Sequence, residues 1–134
     1  MACRISELVI DATAPEPLAA FWSEVLGYVE LDREADGSIE IGPPGTGSGG
    51  PQPTLVISPT DDPRPAKLRL HIDVDATDRD QDAELERLLA LGARPVDVGR
   101  TGNDGRHVLA DPEGNEFCLS RTRLRPLRPA PPLC

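Results

Sequence analysis

Aromatic side chains are nearly absent from this 134-residue chain, which has one Trp, one Tyr and two Phe, or 3% of the total. Val, Leu, Ile and Ala must therefore fill the interior, and a hydrophobic content of 38% is enough for one ordinary domain. Cysteine is scarce too. Cys3, Cys118 and Cys134 are odd in number and have no C-x-x-C spacing. That argues against a disulfide framework and fits a reducing cytoplasm. No segment approaches the roughly 20 apolar residues of a membrane-spanning helix. The opening MACRISELVI has no signal-peptide apolar run. The expectation is a cytoplasmic chain with no membrane partner.

Basic charge is also short. The formal net charge is −9, and four of the 14 basic residues (Arg121, Arg123, Arg125 and Arg128) lie in a tail that has no acid. The first 120 residues hold all 23 acidic side chains. Such a body repels phosphate backbones, so no nucleic-acid partner is expected. The Arg/Pro-rich stretch 123–134 reads as a solvated, disordered end. No Ser-His-Asp constellation, P-loop or G-x-G-x-x-G after a strand is present. GTGSGG at 45–50 is followed by neither Lys-Ser/Thr nor a helix, and reads as a flexible loop or flap.

What the chain does have is a repeat. VIDAT at 9–13 returns as DVDAT at 73–77, an offset of 64. Around both copies the same order of elements can be read. ISELVID alternates, with Glu7 and Val9 on one side and Leu8 and Ile10 on the other. Thr13 and Glu16 have capping-box spacing. Leu18, Phe21, Trp22, Val25 and Leu26 form one apolar helix face, and Gly27 is the stop. YVELDR, SIEIG and TLVIS then read as strands.

In the second copy Leu68, Leu70, Ile72 and Val74 face one way, and Arg69, His71 and Asp73 the other. Thr77 is the expected cap of a helix over 78–91 that buries Leu85, Leu88 and Leu89 and stops at Gly92. RPVDVG, RHVLAD and EFCLS read as strands, the last two joined by the tight turn DPEGN. With the 64-residue offset, Glu7 falls on His71.

Paired β-α-β-β-β modules carrying APEPLAAFWSEVLGY, RLHIDV, LLALGA and VLADPEGNEFCL resemble the vicinal oxygen chelate superfamily. That superfamily includes glyoxalase I, bleomycin-resistance proteins and extradiol dioxygenases, and the likeness is strongest to its glyoxalase-like members. The matching stretches run from residue 5 to 120. The resemblance implies an α+β fold: two tandem modules, 1–60 and 67–122, forming an open half-barrel cup within a domain over 1–122. It also implies a homodimer. The activity it implies is that of a metal-dependent lyase, isomerase or dioxygenase, or else metal-free sequestration of a drug or metabolite. The fold alone does not select among these.

In that superfamily metal ligands come from the first and last strands of each module. Carried over, this gives Glu7, His71 and Glu116 for a divalent Zn, Ni, Fe or Mn, with Glu116 also the catalytic carboxylate. The strand TLVIS offers no carboxylate or imidazole; Val56 and Ser58 lie nearest the expected slot. Arg69, Asp73 and His107 are the substrate-binding candidates, Arg69 as a bidentate carboxylate anchor. Each has a plainer reading. His71 also fits a hydrogen-bonded histidine on a polar face, Glu116 a solvated strand end, Glu7 one more surface acid and Arg69 an ion-paired side chain. His107 lies in a strand whose orientation the sequence leaves open.

Overall fold

The structure, a computed structural model, describes residues 2, 4–45, 50–61, 72–96 and 105–124. The sequence-predicted strand residues 67–71 and 97–99, the glycine-rich stretch 46–49 and the tail from 125 lie outside them. The chain divides into two compact units, with the boundary between Pro63 and Arg64.

In the first unit the order is β1 (Glu7–Ala12), α1 (Pro15–Leu26), β2 (Val29–Arg33), β3 (Ile39–Gly42) and β4 (Thr54–Pro59). The second repeats it with β5 (Ile72–Ala76), α2 (Gln81–Leu91), β6 (Arg94–Pro95), β7 (His107–Ala110) and β8 (Glu116–Arg123). Both sheets have four strands in one pattern, β1-β4-β3-β2 and β5-β8-β7-β6. In each, the strand before the helix pairs in parallel with the last strand, and the remaining pairs are antiparallel. The identical order shows that the repeat is structural. The fold is α+β, two tandem β-α-β-β-β modules with open sheets, as the sequence predicts.

Alternation sets which face each helix covers. In the first unit Leu55, Ile57, Ile39 and Ile41 are buried with Leu18, Phe21 and Trp22 of α1. Phe21 and Trp22 meet edge to face, with ring centroids 5.3 Å apart. In the second unit Phe117, Leu119, Leu109 and Leu88 fill the same place. Burial of each large side chain contributes on the order of 2 kcal/mol. The scarcity of aromatics is thus met by branched aliphatics on the strands.

Three local expectations need correction. No side chain caps α1; the N-cap residue is Ala14. Pro15 and Pro17 leave the first turn with two fewer N–H donors to cap, and the carboxylate of Glu16 is drawn to Arg33. In the second unit α2 begins at Gln81, capped by Asp80, whose side chain accepts from the Ala83 amide at 2.8 Å. Thr77 is not the cap. Of the three leucines expected inside, Leu88 is buried but Leu89 is 38% exposed. Its place is taken by Glu84, which is buried and paired with Arg87 Nε at 2.5 Å.

Among the described residues, no helix is long and apolar enough to cross a membrane.

Candidate functional site

Each sheet has a face that its helix does not cover, and the register states which side chains share it. In the first unit Glu7 is opposite Thr54, Val9 opposite Val56 and Asp11 opposite Ser58. These pairs alternate with Leu8–Leu55 and Ile10–Ile57, which point into the helix-side core. On β3, Glu40 is opposite Val56 and joins the same uncovered face.

Thr54 is fully buried, and its hydroxyl donates to Glu40 Oε2 at 2.8 Å. The backbone there has been narrowed to fit. A Cβ on Gly42 would come within 2.6 Å of Leu31 Cδ1 and 2.8 Å of Thr54 Cγ2. The slot opposite Glu7 therefore belongs to Thr54, and not to Val56 or Ser58.

In the second unit the equivalent face carries Asp73, opposite Cys118, which is in turn opposite Val108, and Glu116, opposite Ala110. Arg94, opposite Ala110 on β6, completes a row of Arg94, Ala110 and Glu116. Arg106 lies 4.0 Å from Asp73 Oδ2, a long, exposed ion pair.

The turn before β8 holds Glu116 in place. The fully buried carboxylate of Asp111 accepts from the Glu113 and Asn115 amides through Oδ1, both at 2.9 Å. Both its oxygens also take the Asn115 side-chain amide, at 3.0 and 2.8 Å. Gly114 supplies the positive φ of 87° that this reversal needs. DPEGN is thus a hydrogen-bonded brace, and Glu116 is the first strand residue after it.

The candidate residues fall as follows. Glu116 and Asp73 share the uncovered face of the second sheet, and Glu7 lies on the uncovered face of the first. His107 is opposite Leu119 and near Leu109, so it shares the helix-side face and not that of Glu116. Arg69 and His71 lie outside the described residues. Ile72 is opposite Phe117; in sequence His71 precedes the one and Glu116 the other. Among the described residues, no group of three or more His, Cys, Asp or Glu is arranged to hold a metal ion.

Two polar groups on these faces were not singled out from sequence. Glu40 could have been found, because in SIEIG it alternates with the core residues Ile39 and Ile41. Arg94 gave no such signal, since β6 spans only two residues among those described.

This geometry agrees with the comparisons. The glyoxalase-like domain family matches residues 7–120, and the chain belongs to that family. The fold is shared with fosfomycin resistance protein FosX from Listeria monocytogenes, solved with Mn(II) and 1S,2S-dihydroxypropylphosphonic acid. The TM-score is 0.68 at 17% identity, covering 92% of this chain and 94% of that one. FosX from Mesorhizobium loti is similar at TM-score 0.64 and 18% identity, covering 92% and 95%. A glyoxalase/bleomycin resistance/dioxygenase family enzyme from Burkholderia phytofirmans PsJN gives 0.63 at 17% identity, covering 85% and 94%. At this identity these structures show a shared fold. No curated protein matches it.

Proposed function

We propose that the chain binds a small molecule on an uncovered sheet face, with a divalent metal held by His71 and Glu116 and with Glu7 as a further donor. The observation that carries this reading is the β5–β8 register. It sets Phe117 opposite Ile72, and the residues that precede these two in sequence, Glu116 and His71, are a carboxylate and an imidazole. One nitrogen and two carboxylate donors suit Mn, Fe, Zn or Ni and leave coordination positions open for a chelating ligand. When bound, the metal would supply Lewis-acid polarisation of the ligand's oxygens.

The chain's own residues do the rest. Glu116, braced by Asp111, is the carboxylate that holds or moves a proton on the ligand. Asp73 and Arg69 orient the ligand's polar groups. Glu40, tied to the Thr54 hydroxyl, is a second carboxylate facing the same side as Glu7. The activity class is a lyase, isomerase or dioxygenase, carried by a cytoplasmic homodimer.

A second reading is favoured by Thr54. The module-one slot that corresponds to Glu116 holds a buried hydroxyl and no acid. This supports a metal-free binder that sequesters a drug or metabolite. Metal analysis and Mn(II) titration of the purified protein, with Glu116→Gln and His71→Ala beside it, decide between the two. Stoichiometric Mn(II) that both variants lose supports the metal reading. No metal in the wild type, with a ligand still bound, supports the other.

A further inference from the structure

The repeated Asp-Ala-Thr puts one aspartate at the same place in each module, Asp11 and Asp75, and the structure treats the two differently. On β1 the register is even: Ile10 is opposite Ile57, Asp11 opposite Ser58 and Ala12 opposite Pro59. Asp11 is exposed. On β5 the register breaks. Val74 is opposite Leu119, but Ala76, two residues on, is opposite Arg123, so β8 carries two extra residues at the level of Asp75. The bulge is pinned beyond it by the Leu124 amide donating to Ala76 O at 2.9 Å and by Arg123 Nε donating to Thr77 O at 2.9 Å.

Alternation puts Asp75 with Asp73 on the face that carries Glu116, away from Ile72 and Val74, whose partners are the buried Phe117 and Leu119. At the bulge, Asp75 Oδ1 is buried and has no hydrogen-bond partner among the described residues. A buried carboxylate oxygen that accepts nothing is costly, and native structures seldom keep one without a use. Bulges recur beside binding sites because they re-aim a side chain. Asp11 shows that the same motif needs neither the bulge nor the burial to form its strand.

We infer that Asp75 is a ligand-recognition residue whose buried oxygen accepts a hydrogen bond from a protonated amine on the bound small molecule. A charged N–H donor is the strongest match for a desolvated carboxylate, and a body of net charge −9 concentrates cations around it. This deepens the proposed function and rests on its claim that the uncovered face takes a small molecule.

The test uses ethanolamine, ethylene glycol and glycolate, three two-carbon probes that differ in charge, titrated into the full-length protein while the aspartate carboxyl carbons are followed by NMR. Ethanolamine is expected to shift the Asp75 signal, with the neutral and anionic probes giving little. Asp75→Asn should abolish the response, and Asp11→Asn should keep it. The free Asp75→Asn protein should melt at or above the wild-type temperature, because the unsatisfied charge is gone.

A response to glycolate or ethylene glycol as large as that to ethanolamine would overturn the inference. So would no response to any probe, or an Asp75→Asn protein that melts well below wild type, which would assign the carboxylate a structural partner. Mn(II) binding measured on the same samples separates this inference from the reading it rests on. Metal without an amine response sinks the inference alone; an amine response without metal sinks only the metal reading.

Discussion

Thr54 stands opposite Glu7 in the first sheet, the position that Glu116 occupies at the head of the second. The two modules share strand order and pairing sense, yet one slot carries a buried hydroxyl and the other a carboxylate. The hydroxyl is bound to Glu40, which reaches the same face from β3. The first module has thus kept an acid near the slot but moved it one strand over.

Removing that hydroxyl tests the arrangement. Thr54→Val keeps the shape, deletes the 2.8 Å bond to Glu40 and leaves an apolar methyl against a carboxylate. A loss of about 1–2 kcal/mol in urea unfolding is expected. Glu40→Gln, which can still accept from Thr54, should lose less. Equal losses would mean that the charge of Glu40, and not the hydrogen bond, holds the slot.

For the metal reading, Glu116→Gln keeps the size of the side chain and removes its charge. Mn(II) affinity is expected to fall at least about tenfold, or roughly 1.4 kcal/mol, and Glu7→Gln should cost a comparable amount. Titration followed by electron paramagnetic resonance reads both directly. Unchanged affinity in Glu116→Gln would remove that residue from the ligand set.

Much of this was legible in the residues because both modules repeat the same patterns. Leu8 and Ile10 against Glu7 and Val9 gave the first strand its two faces. The burial of Phe117 told which way Glu116 must look, since neighbours on a strand alternate. Other features depend on pairing, which no single strand contains. The face of His107 is set by Leu119 opposite it, on another strand. The bulge at Asp75 is invisible in DVDAT, because the extra residues lie on β8. Thr77 is the cap its place in the repeat suggests; the cap is Asp80, whose carboxylate accepts from the Ala83 amide at 2.8 Å. Leu89 fits the helical period, but Glu84, paired with Arg87, is buried beside Leu88 instead.

The DPEGN brace makes a prediction that couples stability to the site. Asp111 is fully buried and accepts both backbone and side-chain N–H groups from Glu113 and Asn115. Asp111→Ala strands those donors and is expected to cost about 2–4 kcal/mol in chemical denaturation. Because the same turn positions Glu116, Mn(II) affinity should fall with it, although Asp111 is no ligand. Asp111→Asn, which retains one acceptor oxygen, should recover part of both losses. Full metal affinity in a folded Asp111→Ala protein would show that the turn does not position Glu116.

Tyr28 gives a pH-dependent case with a definite sign. Its hydroxyl donates to the Pro53 carbonyl at 2.9 Å and ties the end of α1 to the residue before β4. Burial raises its pKa above the ordinary 10.0, because the phenolate would lose water. A folded-state pKa above the unfolded one means that Tyr28 contributes its stability in full below pH 10.0 and loses it as pH rises through the folded value. Tyr28→Phe should therefore be less stable than wild type by about 1 kcal/mol at neutral pH. The gap should close as the wild type ionises in alkali. Unfolding curves of both proteins across that range check the prediction, and a gap that stays constant or widens with pH would contradict it.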